Sequence, residues 1–175
     1  AYDNDVISRF ENGELYSKDS IALTDTTEYR TMGGRTVYGG GGITPDIFVS
    51  LDSTLLSDSY LKLRNEVPPF IYRYMESNVS IFNEMPFNRF VNEYEVPEEL
   101  LNEFQNFYKS KHEDADFSEW SEVKPQIARF IKARMGKHLF DDKGFFAVWN
   151  SKDEVVTEAL KALQNAGFLT KLMEK

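Results

Sequence analysis

The chain has 175 residues, of which 41% are hydrophobic and 14% are aromatic, and its formal net charge is −9. This composition supports a packed core and excludes a globally disordered chain. The acidic balance argues against nucleic acid as a partner, because phosphate binding requires a basic surface stripe. The apolar runs are too short to span a membrane, and the absence of cysteine excludes disulfides and a thiol nucleophile.

Glycine and aromatic residues divide the sequence near residue 56. Seven of the ten glycines lie within the first 42 residues, whereas 19 of the 25 aromatic residues lie after residue 56. We therefore predict a β-rich segment over residues 1–56 and a helical domain over residues 57–175. The predicted fold class is α+β, mainly α, with a glycine-rich β-hairpin ahead of the helices.

The first part carries the signals of a hairpin. The β-prone runs 28–31 and 35–38 flank Met32-Gly33-Gly34, and a pair of glycines supplies the positive φ angles of a tight turn. A second turn is predicted at Asn12-Gly13. Residues 47–49, Ile-Phe-Val, predict a further short strand.

The second part carries start and stop signals for about six helices. Prolines mark the ends of the first of these helices. Asp58 is expected to cap a short helix that ends before Pro68, because proline interrupts the hydrogen-bond ladder. Pro69 is then expected to open the next helix. Pro86 and Pro97 occupy positions suited to the first residue of two more helices.

A longer apolar stripe follows, with a kink predicted at Pro125. Its spacing of three and four residues places the apolar side chains on one helical face that we predict to be core. These residues are Trp120, Val123, Ile127, Phe130, Ile131, Met135 and Leu139. The last predicted helix begins after a capping box formed by Ser151 and Glu154, and Gly167 is suited to its end.

The run Gly39-Gly40-Gly41-Gly42 invites comparison with phosphate-binding loops. Such a loop ends in Gly-Lys-Ser/Thr, whereas Ile43-Thr44-Pro45-Asp46 follows here. The dinucleotide fingerprint also fails, because no helix is predicted to open after the glycines. The run is interpreted as a bend where two backbones pass closely.

Four ligand-type side chains occur within His112-Glu113-Asp114-Ala115-Asp116. Neither the glycine nor the terminal glutamate of a calcium loop is present, so we interpret this segment as a solvated loop in which Asp116 or Ser118 caps the next helix. We predict that it binds no divalent metal tightly. The acidic pairs Glu98-Glu99 and Asp141-Asp142 are assigned to the first turns of helices, and His138 to the end of a helix, where each complements the dipole.

No serine lies in a nucleophile elbow of the Gly-x-Ser-x-Gly type. Eight of the thirteen serines fall in the polar segment before residue 21 or at predicted helix starts. They are Ser8, Ser17, Ser20, Ser57, Ser59, Ser118, Ser121 and Ser151. From the residues alone we therefore predict no catalytic, cofactor-binding or metal-binding residue and no cofactor.

The run from residue 29 to residue 49, YRTMGGRTVYGGGGITPDIFV, closely resembles a stretch of the carboxyl-terminal processing (tail-specific) serine proteases. In that family a Gly-Arg pair is followed shortly by Gly-x-Gly-Ile-x-Pro-Asp. The version with Val37-Tyr38 and four glycines is similar to the Bacteroidetes branch of the family. A looser similarity extends through residues 100–104 and 144–146.

The resemblance implies that the parent protein is a serine endopeptidase with a Ser-Lys dyad, in which an uncharged lysine acts as the base. It also implies a PDZ domain that captures substrate C-termini. Both precede the glycine motif in the family, so we expect them upstream of Ala1 and expect these 175 residues to be inactive alone. The resemblance further implies a periplasmic or cell-envelope location, with protein or peptide substrates of the parent as partners. A homo-oligomer is a further candidate partner, because the predicted strands at 28–49 leave one edge open for another chain.

Two other interpretations stay open at this point. A free-standing helical protein-interaction module would carry the glycine motif by coincidence, and the upstream coding sequence would distinguish it. An independent hydrolase with a carboxylate site would be revealed by activity of the isolated chain.

Overall fold

The computed structural model describes residues 12–17, 20, 27–34, 36–39, 45, 47–82, 84–165 and 167. This described part is mainly helical and contains a two-stranded antiparallel sheet, which confirms the predicted α+β, mainly α class. The strands are β1 (Glu28–Arg30) and β2 (Thr36–Tyr38), and a 3-10 helix spans Ser53–Leu56. The α-helices are α1 (Asp58–Phe82), α2 (Phe87–Glu93), α3 (Glu98–Lys111), α4 (Trp120–Asn150) and α5 (Glu154–Gln164).

The chain divides into two compact units. The helical unit comprises Ser53–Asp153, and the other contains the described residues up to Asp52 together with those from Glu154. A compact unit is defined by its internal contacts, whereas a domain must also fold alone. The predicted division at residue 56 therefore stays a prediction.

The predicted hairpin is present. β1 and β2 pair with Tyr29 opposite Val37, and Gly34 supplies a φ of 85° in the connecting turn. Asn12-Gly13 also forms the predicted turn, with a φ of 79° at Gly13. Residues 47–49 are not in a strand, so that prediction is wrong. A β-prone run becomes a strand only where a partner offers a hydrogen-bond ladder, and no described residue does so here.

Helix α1 continues through Pro68 and Pro69, so the predicted helix end at this point is wrong, as is the predicted start at Pro69. Each proline removes one backbone donor from the ladder. The surrounding side chains of Val67, Phe70 and Ile71 are at most 3% exposed. Their burial in the core stabilises the helix more than the missing hydrogen bonds weaken it.

Helix ends differ from the prediction in detail. Ser57, and not Asp58, caps α1, because its Oγ accepts a hydrogen bond from the amide of Tyr60 at 3.2 Å. Pro86 and Pro97 occupy the N-cap positions of α2 and α3, one residue before the helices begin. Proline suits both sites because neither needs an amide donor.

The last predicted cap is wrong. The hydroxyl of Ser151 donates to the carbonyl of Val148 at 2.7 Å, so it closes the end of α4 instead of opening α5. Helix α5 begins at Glu154, and none of its residues is buried. Gly167 lies beyond the end of α5 at Gln164.

Helix α4 is interrupted at Phe140 and Asp141, and its backbone is helical at Pro125, where the kink was predicted. Pro125 lies near the start of the helix, where the helical geometry holds despite the lost donor. The interruption divides α4 into a first segment, residues 120–139, and a second segment, residues 142–150.

The core of the helical unit is built chiefly by α1 against α4, with α2 on α4 and α3 on α1. The predicted stripe residues Ile127 and Phe130 are 0% and 5% exposed, which confirms them as core. Aromatic rings fill much of this core: Phe70 meets Phe104 edge-on at 5.4 Å. Among the described helices, none has both the length and the apolar composition of a membrane span.

Candidate functional site

Residues 40–44, which hold most of the glycine run, lie outside the described residues. Gly39 is described, and its amide donates to the carbonyl of Thr27 at 2.9 Å, next to the hairpin. The interpretation of the run as a close backbone bend stays a prediction.

Six described serine hydroxyls of the helical unit donate to a nearby backbone carbonyl or to a carboxylate. Ser57 donates to the carbonyl of Thr54 at 2.9 Å, and Ser110 donates to that of Phe107 at 2.7 Å. Ser59 donates to Glu119 at 2.5 Å. A nucleophilic serine needs a base within hydrogen-bond reach, and no such lysine or histidine contact occurs in the part of the chain that the structure describes.

Asp116 holds a turn and is not a helix cap. It accepts hydrogen bonds from the amide of Ser118 at 2.8 Å and from its hydroxyl at 2.9 Å. The hydrogen bond from the Ser118 amide, followed by the one from the Ser118 hydroxyl, keeps the pKa of Asp116 below its usual value. Helix α4 begins at Trp120 with Glu119 at its N-cap position, so the predicted cap at Asp116 or Ser118 is wrong.

His112 turns away from its acidic neighbours in the sequence and joins Glu66 on α1. The two side chains approach to 3.4 Å between Nε2 and Oε1, and Lys111 donates to the other Glu66 oxygen at 2.9 Å. The His112 ring also stacks on Tyr108 at 4.3 Å. These four residues, which we call the Glu66 cluster, tie the end of α3 to α1.

Titration of Glu66 gives a testable consequence. The hydrogen bond from Lys111, followed by that from His112, lowers the pKa of Glu66. Because the folded pKa is depressed, this stabilisation is present above the unfolded pKa and is lost as pH falls through the folded pKa. We expect Glu66→Gln to lower the free energy of unfolding by about 1 kcal/mol at neutral pH. The difference from the wild type should disappear in an acid buffer whose pH lies below the folded pKa of Glu66.

Urea denaturation at both pH values measures this difference. The control is Glu113→Gln, because Glu113 is exposed in the adjoining turn. An equal loss of stability in both variants, or a Glu66→Gln loss that persists in acid, would refute the assignment of the stabilisation to the Glu66 carboxylate.

The described residues contain no group of three or more histidine, aspartate or glutamate side chains that could hold a metal ion. The prediction that the 112–116 loop binds no metal tightly stays a prediction. Glu98 and Glu99 lie in the first turn of α3 as predicted. His138 is exposed in the last turn before the interruption of α4, whereas Asp141 is non-helical, so its predicted place in a helical first turn is wrong.

Other shifted pKa values mark packing contacts. Burial raises the pKa of Tyr94 to about 12, and its hydroxyl lies 4.0 Å from the sulfur of Met135. Burial lowers the pKa of Lys132, whose ammonium donates to the carbonyl of Val91 at 2.9 Å. In an active site, groups with shifted pKa values lie together in one cleft. Here the Tyr94 hydroxyl contacts a thioether, and the Lys132 ammonium bonds to the last turn of α2.

A shallow pocket lies between α1 and α3. It is lined by Phe70, Arg73, Glu103, Asn106, Phe107 and Ser110. The Arg73 guanidinium lies over the Phe107 ring, 4.9 Å from its centroid. Sequence reasoning missed this pocket, although the spacing of Glu103, Phe107 and Ser110 places them on one helical face. The pocket offers surface contacts for a ligand and no pairing of a nucleophile with a base.

A family of unknown function (DUF8443) matches residues 59–141, which run from the start of α1 to the interruption of α4. No curated protein and no solved structure matches the chain. The similarity therefore concerns the helical unit and assigns no chemistry to it.

Proposed function

We propose that this chain is a non-catalytic portion of a carboxyl-terminal processing serine endopeptidase. The observation that carries the proposal is the run from residue 29 to residue 49, with its Gly-Arg pair and its Gly-x-Gly-Ile-x-Pro-Asp motif. The parent protein would cleave proteins or peptides with a Ser-Lys dyad outside these 175 residues.

The exposure of the hairpin supports this proposal. All three residues of β1 are exposed, and the side chains of Tyr29 and Tyr38 are 55% and 50% exposed. A two-stranded hairpin is at best marginally stable in water. Strands of this kind are expected where they extend the sheet of a larger protease core.

The helical unit would then pack against, orient or dimerise that core. Among its described serines, Ser57 donates to a backbone carbonyl and Ser59 donates to a carboxylate. The Glu66 cluster ties α3 to α1. By the same resemblance we propose a periplasmic or cell-envelope location and protein or peptide substrates for the parent.

A second candidate is a free-standing helical protein-interaction module. The observation that favours it is the family match over residues 59–141, which lies wholly within the helical part and excludes the glycine motif. A helical unit that recurs without the protease motif would fit an independent module.

Activity measurements test the proposal. We expect the 175-residue chain to leave unfolded casein uncut and to resist fluorophosphonate labelling, because no described serine contacts a base. The intact parent protein should cleave casein under the same conditions. Stoichiometric labelling of one serine in the isolated chain would refute the non-catalytic assignment, and an intact protein without proteolytic activity would favour the interaction module.

A further inference from the structure

The interruption of α4 is short and strained. Two residues leave the helical geometry, Phe140 (φ −140°, ψ 20°) and Asp141 (φ 56°, ψ −151°). The angles of Asp141 fall in a region that is occupied essentially by glycine alone, because a Cβ atom crowds the backbone there. We call these two residues the hinge. An aspartate at this position stores conformational strain in the closed form of the chain, by which we mean the form in which the second segment of α4 folds back along the first.

Across the hinge, the second segment of α4 folds back along the first. Gly144 lies against Gly136, so closely that a Cβ atom on Gly136 would be 2.8 Å from the Gly144 carbonyl oxygen. Further along, the ring of Phe145 meets that of Phe130 edge-on at 6.3 Å. Each contact joins a residue before the hinge to one after it.

The far end of the second segment is held by Arg129. Its guanidinium donates a hydrogen bond to the carbonyl of Trp149 and lies 4.4 Å from the centroid of the Trp149 ring. Val148 is also buried, at 3% exposure. The second segment is therefore anchored on the first segment, and the short strained hinge connects the two.

The geometry points to an exchange of residues 142–150 between two copies of this chain. In the exchanged form the hinge adopts helical angles and α4 becomes one continuous helix. The second segment of each copy then packs on the first segment of the other, through the same contacts that close the single chain. Short strained hinges favour exchange of this kind.

Only a second copy of this chain can accept the exchanged segment, because it alone presents the same first segment of α4, residues 120–139. The sequence allows a continuous helix, since no proline follows Pro125. Against exchange stand the edge-on contacts of Phe140 with Phe87 at 5.3 Å and with Phe90 at 5.6 Å. These contacts stabilise the closed form. The fraction of exchanged dimer is therefore expected to rise with protein concentration and with the strain at position 141.

Substitutions at position 141 test this dependence in the full chain. Asp141→Gly removes the strain of the closed form, whereas Asp141→Ala retains it and favours a continuous helix. Asp141→Asn is the matched control, because asparagine tolerates positive φ about as well as aspartate and lacks only the charge.

Sedimentation velocity after incubation at rising concentrations gives the readout. The midpoint concentration for dimer formation should be at least about thirtyfold lower for Asp141→Ala than for Asp141→Gly, since each dimer relieves two hinges. The midpoint of Asp141→Asn should match that of the wild type. Equal midpoints for the alanine and glycine variants, or no dimer for the alanine variant, would overturn the inference.

Cross-linking distinguishes exchange from association through another surface. The chain has no cysteine, so Arg129→Cys and Trp149→Cys can be combined without background. In the isolated dimer fraction, a short bismaleimide should join position 129 of one copy to position 149 of the other and give covalent dimers. Internally linked monomers alone would overturn exchange.

Hydrogen exchange of the wild-type chain provides a measurement that depends on no substitution. In a continuous helix the amides of residues 141–144 gain carbonyl partners one turn back. Their protection should therefore be higher in the dimer fraction than in the monomer fraction. Equal protection in the two fractions would contradict a continuous helix.

Discussion

Ile127→Asp is expected to abolish cooperative folding of the helical unit. Ile127 is 0% exposed and lies in the first segment of α4. An unpaired carboxylate in an apolar core costs several kcal/mol. Because a domain of this size is stable by only about 5–15 kcal/mol, we expect thermal unfolding followed by circular dichroism to show no cooperative transition.

Ser121→Asp is the matched control for this substitution. Ser121 lies in the first turn of the same helix, and its side chain is exposed. A carboxylate there also complements the helix dipole, so the midpoint of unfolding should stay within about 5 °C of the wild type. An Ile127→Asp protein that melts cooperatively in this range would contradict the assignment of α4 to the core.

Gly144→Ala is expected to lower the free energy of unfolding by about 3 kcal/mol. A Cβ atom on Gly144 would overlap the carbonyl oxygen of Gly136 and would lie 2.7 Å from its carbonyl carbon. It would also lie 2.9 Å from the Cβ atom of Phe140. Two of these atoms belong to backbone, which cannot rotate away as a flexible side chain can.

The sign of this effect is informative, because alanine ordinarily stabilises a helix relative to glycine by about 0.5–1 kcal/mol. Gly33→Ala provides a glycine control in open surroundings, where the nearest atom, Oγ1 of Thr31, is 4.0 Å away. It should change the stability by less than about 0.5 kcal/mol. Urea denaturation compares the variants, and a stabilised Gly144→Ala protein would show that the two backbones do not touch.

The fold class and the hairpin could be predicted from local signals. The β-prone runs around Met32 and Gly34 needed only a turn residue with positive φ, which Gly34 supplies. The apolar spacing around Ile127 likewise predicted a helix with one buried face. Both features depend on residues close together in the sequence.

The course of the helices depended on distant contacts and was predicted less well. Pro68 and Pro69 were expected to end a helix, but burial of their neighbours in the core outweighs the lost hydrogen bonds. No local signal marks Phe140 and Asp141 as a hinge. The hinge follows from the close approach of Gly136 and Gly144, which no local pattern reveals.

The Glu66 cluster shows the same limit for sites. His112 pairs with a glutamate 46 residues away and not with its acidic neighbours in the loop. The sequence identified the residue types at 112–116, whereas the packing of α3 on α1 decided their partners. A prediction of this pairing would have required the relative rotation of two helices.

The proposal that the chain belongs to a serine endopeptidase is tested most directly by labelling the intact protein. Protein purified from its own cells would be treated with a fluorophosphonate probe, and the modified peptide would be identified by mass spectrometry. We expect one labelled serine, located before Ala1, with a lysine within hydrogen-bond reach to act as its base. A label on a serine within these 175 residues, or an active intact protein without a reactive serine, would contradict the proposal.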